Sequence, residues 1–404
     1  MNLTGIITEY NPFHLGHKYH LEKAIQDTKS DGIISVMSGN FMQRGNPAII
    51  DKYTRAKMAV LNGVDLVLEL PLIYSLSSAE DFAYGGVKLL NSLNCINNIY
   101  FGSESGKIDE LIKIAQILNN EPNDYKIKLK AELDKGLPFH TSRVNALSSI
   151  LSCPNTSEIL SNSNNILAIE YIKAILKLDS KIKPFTLKRE GNNYNDTNLG
   201  TKFSSATSIR ESFKNNLNID DIKNSITRES LDMIIDLKKN NYDFVFEDSL
   251  FLFLKYKLLT NGDALKHITD ISEGLDNKIL KEIVNCNSLD ELILKSKSKR
   301  YTYTRISRIL SKFFIGFENF PIEDIKNSDI TYIRPLAFNK KGAKILKLIK
   351  ESSEINILNK IPKHTSNKML QLDLQGTKAY SLLNKSISPV EDYIKSPFIY
   401  KNLT

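Results

Sequence analysis

The chain has few cysteines and no long apolar run, and each deficit excludes a class of protein. Its three cysteines, Cys95, Cys153 and Cys286, are odd in number and widely spaced, which argues against a disulfide framework and a zinc site. The longest apolar stretch, residues 59–76, is interrupted by Asn, Asp and Glu and is not expected to span a membrane. The first four residues lack the basic start and apolar run of a signal peptide. Together these deficits favour a reducing cytoplasm.

Length and charge suggest at least two domains and a polyanionic partner. A chain of 404 residues exceeds what one hydrophobic core usually supports. Residues 1–215 carry 24 Lys and Arg against 22 Asp and Glu, whereas residues 216–404 carry 30 against 24. The basic second half favours nucleic acid as a partner. The alternative is biased codon usage, with lysines that merely solvate helices.

The first 215 residues alternate strand-like and helix-like patterns, which predicts a Rossmann-like parallel sheet. Strands are predicted at residues 3–7, 32–37, 66–70, 98–101 and 182–187, and helices at residues 15–27, 51–62, 79–93 and 164–178. A helical insertion is predicted at about 107–150. From about residue 216 helical periods dominate, so we expect an α/β catalytic domain over 1–215 and a mainly helical domain over 216–404.

Three of the six histidines lie within seven residues, at His14, His17 and His20. They follow the first predicted strand and open the first predicted helix, at the sheet edge where parallel strands bind ligands. A helix N-terminus offers N–H groups to an anion, Gly16 allows close approach, and imidazoles at i and i+3 can face one anion. We therefore predict that His14 and His17 bind phosphate, with helix capping or packing as the alternative. For His20, a surface or core position is equally compatible.

Loop residues after the second strand and hydroxyls before a later helix are further candidates. Residues 38–58 are rich in glycine and cations, so Gln43, Arg44 and Lys52 are predicted to supply donors to a second substrate or the nucleotide; an ordinary loop is the alternative. Hydroxyls in residues 203–210 are suited to capping a helix or holding a phosphate.

In the basic half, residues 295–308 interleave cations, hydroxyls and two tyrosines. Phosphates, sugars and unstacked bases are bound by those residue types, so this segment is a candidate RNA contact. The alternative is a solvated lead into a helix. Residues 332–342 are a second candidate, in which Leu336 and Phe338 are expected in the core.

Taken together, these motifs resemble the bacterial tRNA(Met) cytidine acetate ligases, a branch of the nucleotidylyltransferase superfamily. The resemblance runs nearly end to end, and its most specific segments are Gly5–His17, Met37–Ala48, Lys299–Arg308 and Tyr332–Asn339. The sequence departs from the family pattern at Ser163, where proline often stands, and at Ala337, where glycine is usual.

The resemblance implies an ATP-dependent ligase that forms acetyl-adenylate and transfers the acetyl group to N4 of the wobble cytidine of elongator tRNA(Met). It implies catalytic roles for His14 and His17, and tRNA contacts from Lys299, Arg300, Tyr301, Arg305 and Arg308. Magnesium is expected with ATP, with no ligand identified; Asn164 and Asn165 remain alternatives for one nucleotide contact. The implied ATP-binding residues are Ile7, Thr8, Glu9, Tyr10, Asn11, Pro12, Phe13, His14, Leu15, Gly16, His17, Lys18, Tyr19, His20, Gly102, Asn164, Arg189, Ser205, Thr207 and Arg210.

Two other functions remain open from the residues alone. A small-metabolite adenylyltransferase would use the same histidines without RNA, but would leave the basic half without a role. A noncatalytic RNA-binding protein could retain a nucleotide pocket. Salt-sensitive tRNA binding would favour the ligase over the metabolite adenylyltransferase, whose reaction needs no phosphate contacts with RNA. Failure to consume ATP with any carboxylate and tRNA would favour the noncatalytic RNA-binding protein.

Overall fold

The computed structural model describes residues 1–151, 156–189, 206–214 and 219–401. The strands are β1 Leu3–Thr8, β2 Gly32–Ser38, β3 Leu66–Leu70, β4 Asn98–Ser103, β5 Lys183–Lys188, β6 Tyr332–Ile333, β7 Pro335–Asn339, β8 Asn356–Ile357 and β9 Phe398–Tyr400. The helices are α1 Leu15–Thr28, α2 Lys52–Leu61, α3 Leu72–Ser75, α4 Ala79–Ser92, α5 Ile108–Asn120, α6 Asn123–Asp134, α7 Phe139–Ile150, α8 Thr156–Ser161, α9 Ser163–Lys177, α10 Ala206–Lys214, α11 Ile219–Ile222, α12 Arg228–Lys239, α13 Phe251–Asn261, α14 Leu275–Ile283, α15 Leu289–Ser296, α16 Tyr303–Ile315, α17 Ile322–Asn327, α18 Lys340–Ser352, α19 Lys368–Leu383 and α20 Glu391–Ile394. Short 3-10 helices occupy Glu247–Leu250, Gly262–His267 and Phe317–Asn319.

The central sheet has the strand order β5-β4-β1-β2-β3-β7-β9. Strands β1 to β5 pair in parallel, β7 runs antiparallel to β3, and β9 runs parallel to β7. The order β3-β2-β1-β4-β5 is that of a doubly wound sheet, and it reverses between β1 and β4, where such sheets bind ligands. The predicted Rossmann-like fold class is confirmed. A ligand site is therefore expected at the loops that follow β1 and β4.

Apolar side chains pack on both faces of this sheet. Leu3, Ile34 and Val36 belong to one buried cluster, and Ile6 and Ile33 to the other. Successive strand residues point to opposite faces, so two-sided burial requires strands that are apolar throughout, as β2 and β3 largely are. The core is therefore divided by the sheet that carries the site.

The second half of the chain returns to the sheet, which the sequence patterns did not predict. Ala337 of β7 pairs with Val67 of β3, and Phe398 of β9 pairs with Ala337. Helices α5 to α7 occupy the predicted insertion, and helices dominate residues 219–327. The boundary at residue 215 stays a prediction, but the sheet itself draws on both parts of the chain.

No helix within the described ranges is long and apolar enough to cross a membrane.

Candidate active site

The loop after β1 places two imidazoles face to face at the start of α1. The ring centroids of His14 and His17 lie 3.8 Å apart with 31° between their planes. Tyr10 packs against the edge of His17 at 4.9 Å, and Phe13 lies 5.5 Å from the same ring. The two histidines predicted to share an anion are therefore adjacent and held by aromatic neighbours.

Backbone hydrogen bonds indicate the tautomer of each imidazole. The N–H of Gly16 donates to Nδ1 of His14 over 3.0 Å, and the N–H of His14 donates to Nδ1 of His17 over 3.3 Å. A neutral imidazole that accepts at Nδ1 carries its proton at Nε2. Both rings therefore have Nε2–H as their remaining donor.

The backbone N–H groups at the start of α1, which were predicted to bind an anion, are already bonded within the protein. The N–H of Leu15 donates to the carbonyl of Ser225, and that of His17 donates to the carbonyl of His14. With Gly16 bonded to His14, the first turn offers its side-chain Nε2–H groups rather than open backbone donors. The positive end of the helix is thus extended through the two imidazoles.

Cations and burial keep all three histidines neutral. Removal from water, with Arg189 and Arg210 nearby, lowers the pKa of His14 to about 3. Removal from water lowers the pKa of His17 well below its usual range, with further contributions from His14, His20 and Arg189. Burial and Arg189 lower the pKa of His20 to about 4. The site therefore combines neutral donors with fixed positive charge, an arrangement suited to an anionic ligand.

The end of β4 and the start of α9 form a second wall. Arg189 donates its backbone N–H to the carbonyl of Ser103, and its Cγ lies 3.2 Å from where a Cβ on Gly102 would stand. Glu104 accepts from the backbone and side-chain N–H groups of Asn164, and from the backbone N–H of Asn165. Sequence reasoning missed Glu104, although its position directly after a strand end was a signal.

The two asparagines at the start of α9 differ in exposure. Asn165 is buried, and its Oδ1 accepts the N–H of Ser105 over 3.0 Å. Asn164 is half-buried and holds Glu104 through its Nδ2 over 2.6 Å. The side chains of both asparagines are bonded within this wall, and the choice between them as a nucleotide contact stays a prediction.

Helix α10 brings Thr207 and Arg210 to the loop after β1. The Arg210 guanidinium donates to Oγ1 of Thr207 over 3.0 Å and to the carbonyl of Asn11 over 3.2 Å. Arg210 also contributes to the lowered pKa of His14, so the histidine and hydroxyl motifs meet at one site. Ser205 lies outside the described residues.

Several members of the 7–20 segment hold the site in place. Thr8 bonds Ser35 over 2.8 Å, and Lys18 donates to the carbonyl of Asn62 over 2.9 Å. Among the other predicted ATP-binding residues of this segment, Ile7 packs against Gly86, and Pro12 and Phe13 are buried. The Lys23 ammonium lies over the ring of Tyr19, and the His20 ring lies 5.1 Å from the Tyr100 ring.

Lys52, the first residue of α2, is a structural cation where a ligand donor was predicted. Lys52 is 1% exposed, and its Nζ lies 2.8 Å from Glu69 and 2.8 Å from Asp392. The prediction that Lys52 supplies a donor to substrate is therefore wrong, because its ammonium is enclosed by buried carboxylates. Gln43 donates its side-chain amide to the carbonyl of Ser77, and Arg44 lines a cavity described below.

Arg55 is a second structural cation in this region that sequence reasoning did not single out. It is fully buried, and its guanidinium donates to the carbonyls of Glu9, Ser38, Gly39 and Ile50. Burial lowers its pKa. The guanidinium thus ties the ends of β1 and β2 together behind the loop after β1.

The candidate RNA segment divides between surface and core. Lys299 and Arg300 are exposed, and Arg300 pairs with Glu273. Arg305 and Arg308 are half-buried, and the Arg305 guanidinium lies 4.5 Å from the centre of the Tyr301 ring. Tyr301 is only 5% exposed and bonds Ser272, so its position favours packing over base stacking.

The other RNA candidate, residues 332–342, is built into the fold. Leu336 is buried, as expected, and Phe338 is half-buried in β7. Arg334 is 3% exposed and pairs with Glu69 over 2.9 Å. Its strands are built into the fold, and its exposed cations are Lys340 and Lys341 at the start of α18.

A cavity of about 230 Å³ lies between the loop after β1, helix α10 and the start of α16. Its lining includes Asn11, Thr207 and Arg210, and also Tyr303 and Thr304. A larger cavity of about 590 Å³ lies between α2, α12 and residues 386–399, and its lining includes none of the predicted catalytic, ATP-binding or tRNA-binding residues that the structure describes. The smaller cavity is therefore the one associated with the site.

Comparison with known proteins places the chain in a family. The family described as HIGH Nucleotidyl Transferase matches residues 1–393. A tRNA(Met) cytidine acetate ligase of Clostridium novyi is 54% identical over 99% of this chain and 100% of its own length, and that of Clostridium tetani is 48% identical with the same coverage. A crystal structure of Thermotoga maritima TmcAL bound with alpha-thio ATP is 32% identical, with a TM-score of 0.88 over 100% of both chains. From this similarity over its full length, the chain belongs to the tRNA(Met) cytidine acetate ligase family of HIGH nucleotidyl transferases.

Proposed function

We propose that this protein activates acetate with ATP and transfers the acetyl group to N4 of the wobble cytidine of elongator tRNA(Met). The observation that carries the proposal is the stacked pair of neutral imidazoles, His14 and His17, beside the guanidinium groups of Arg189 and Arg210. The similarity to relatives named for this reaction, and to a TmcAL that binds an ATP analogue, supports the choice of substrates.

In the first step, an acetate oxygen attacks the α-phosphorus of ATP, the bond to the β-phosphate oxygen breaks, and pyrophosphate leaves. The reaction brings two anions together, so fixed donors are needed where negative charge accumulates. The Nε2–H groups of His14 and His17 are suited to that role because they are neutral and already oriented by backbone bonds. Arg189 and Arg210 supply compensating charge.

In the second step, N4 of cytidine attacks the carbonyl carbon of acetyl-adenylate, the carbon–oxygen bond to AMP breaks, and N4 loses a proton. AMP is a good leaving group, so positioning the base suffices for most of the rate. Lys299, Arg300, Arg305 and Arg308 are proposed to hold the tRNA backbone, in keeping with the basic second half.

Magnesium is proposed to arrive with ATP, since it is commonly held by substrate phosphates. The described ranges contain no group of three or more His, Cys, Asp or Glu side chains placed to hold a metal ion. Magnesium is therefore proposed to be held by the ATP phosphates and water.

The proposal is tested by incubating the full chain with ATP, labelled acetate and elongator tRNA(Met), followed by mass analysis of the tRNA nucleosides. Label in N4-acetylcytidine is expected, together with acetate-dependent exchange of pyrophosphate into ATP. Exchange without nucleoside labelling would reduce the function to carboxylate adenylation. The absence of both would reject the enzyme.

A further inference from the structure

We propose that the 230 Å³ cavity receives the acceptor base of the RNA, an unstacked cytosine. This inference rests on the proposed function, because it assigns a place to the second substrate. The sequence predicts that Arg44 donates to a second substrate and that the segment of Tyr303 contacts RNA, and the structure places both residues in the lining of this cavity. The argument comes from its position, its lining and the loop that forms one wall.

The cavity lies between the predicted ATP-binding residues and the candidate RNA segment at the start of α16. Asn11, Thr207 and Arg210 line it on the nucleotide side, and Tyr303 and Thr304 line it at the start of α16. The exposed cations of the candidate RNA segment immediately precede that helix. An anticodon bound at this segment is therefore close to a cavity that opens on the nucleotide residues.

The lining is complementary to a pyrimidine that carries an amino group. Phe246 and Tyr303 place aromatic rings in the lining, and unstacked bases stack on such rings. Glu9, Glu211 and Glu247 provide carboxylates, which accept hydrogen bonds from N4 of cytosine. Uracil presents a carbonyl oxygen at that position, so the carboxylates favour cytosine, while Arg44, Arg210 and Lys214 in the same lining are suited to O2 of the base or to a phosphate. The volume is below that of a typical drug-sized pocket, as a single base requires.

One wall is a loop fixed at both ends, residues 41–47, here called the bridging loop. On the nucleotide side, Glu9 accepts the N–H of Gln43 over 2.7 Å. On the other side, Asn46 donates to Glu247 over 2.8 Å, and the carbonyl of Gly45 accepts from Ser311 of α16. These bonds set the separation between α16 and the loop after β1, and hence the width of the cavity.

Base capture is tested without catalysis by using tRNA(Met) with the fluorescent analogue pyrrolo-cytosine at the wobble position. Stacking on Phe246 and Tyr303 is expected to quench the fluorescence when the full chain binds. Phe246→Ala and Tyr303→Ala should lose most of the quenching, while Tyr303→Phe, which keeps the ring, should retain it. Phe244→Ala is the matched control, because Phe244 packs nearby against Phe213 and is not among the lining residues described.

Catalysis provides the second readout. Loss of one stacking ring is expected to slow acetyl transfer about tenfold or more. Acetate-dependent ATP–pyrophosphate exchange should stay within about twofold of wild type, because neither ring belongs to the predicted ATP-binding residues. Phe246→Leu keeps an apolar side chain but removes the ring, so it tests stacking alone. Thermal unfolding of each variant shows whether a loss of activity comes from loss of folding.

The outcomes separate this inference from the proposed function. Unquenched fluorescence in the wild type, or quenching retained in both alanine variants, overturns the assignment of the cavity. Parallel loss of exchange and transfer overturns it as well, because the rings would then belong to the nucleotide site. Ring-dependent quenching without any exchange supports base capture and rejects the proposed enzyme instead.

Discussion

His14 and His17 form a unit because each Nδ1 is bonded to a backbone N–H of the same turn. Replacing His17 by alanine removes one preoriented donor and leaves the His14 ring without its stacked neighbour. We expect His17→Ala to fold, and to lose about a hundred- to thousandfold in acetate-dependent ATP–pyrophosphate exchange, the usual cost of one such donor. Isotope exchange at saturating ATP measures the effect.

The exposed His364 supplies the control for that experiment, because it lies between β8 and α19, outside the described site. His364→Ala should exchange at the wild-type rate. Near-normal exchange by His17→Ala would reject the catalytic assignment of the imidazole pair.

The buried histidines also make stability depend on pH. The pKa values of His14 and His20 are lowered to about 3 and about 4, against about 6.5 in an unfolded chain. As pH falls from 6.5 towards 4, the unfolded chain binds protons that the folded chain does not, so the free energy of unfolding decreases. Each histidine contributes up to about 1.4 kcal/mol per pH unit in that window.

Urea denaturation between pH 6.5 and 4.5 measures this dependence. Asp373 acts in the opposite direction, because burial and Glu69 raise the pKa of its carboxyl to about 7, so variants are compared with wild type at each pH. His20→Asn should flatten the slope, whereas Lys23→Gln on the same helix should not. An unchanged slope in His20→Asn would contradict the shifted pKa.

Secondary-structure elements were predictable where the apolar pattern is long and local. The predicted strand at residues 66–70 matches β3, and Asp51, where the predicted 51–62 helix starts, accepts from the N–H groups of Tyr53 and Thr54 as the cap of α2. Strand β7 is as short as β3, but it depends on pairing with β3 across most of the chain, and β9, of only three residues, pairs in turn with β7. The same reason explains the missed β6 and β8.

The histidine pair was predictable for the same reason, since it lies within a single turn. Lys52 was not, because its carboxylate partners Glu69 and Asp392 lie in different elements, and the second is near the end of the chain. Tyr301 is predicted to contact tRNA, and only the structure shows that Ser272 and the Arg305 guanidinium lie beside its ring. Site residues whose role depends on distant segments therefore require the structure.

The bridging loop depends on a glycine at its contact with α16. Gly45 has φ +99°, and a Cβ there would lie 2.6 Å from the backbone N of Arg308. Gly274 also has positive φ, at +75°, but its Cβ would meet no described atom within 4 Å. Gly45→Ala should therefore cost the left-handed strain of about 1–2 kcal/mol plus about 1–3 kcal/mol of overpacking against α16.

Gly274→Ala should cost only the first of these terms, so the difference between the two variants isolates the loop–helix contact. Urea denaturation of both measures it. Equal losses would mean that α16 yields to the added methyl group and does not fix the loop.

A buried ionic cluster links the N-terminal strands and helices of the chain to its C-terminal segment. Lys52 at the start of α2 and Arg334 before β7 each pair with Glu69 of β3 and Asp392 of α20. All four side chains are at most 5% exposed. Arg334 and Lys52 keep the pKa of the Asp392 carboxyl well below its usual range despite burial. The C-terminal segment is thereby tied to the sheet that carries the histidines.

Removing one cation from this cluster leaves buried carboxylates with a single positive partner. Lys52→Met should lower the free energy of unfolding by about 3–5 kcal/mol, whereas Lys395→Met should change it by less than about 1 kcal/mol, because Lys395 is half exposed in its pair with Glu391. Adding Glu69→Gln to Lys52→Met should recover part of the loss, since it removes the uncompensated charge. Urea denaturation of the three variants measures these changes, and equal effects at Lys52 and Lys395 would show that the cluster does not hold the two ends together.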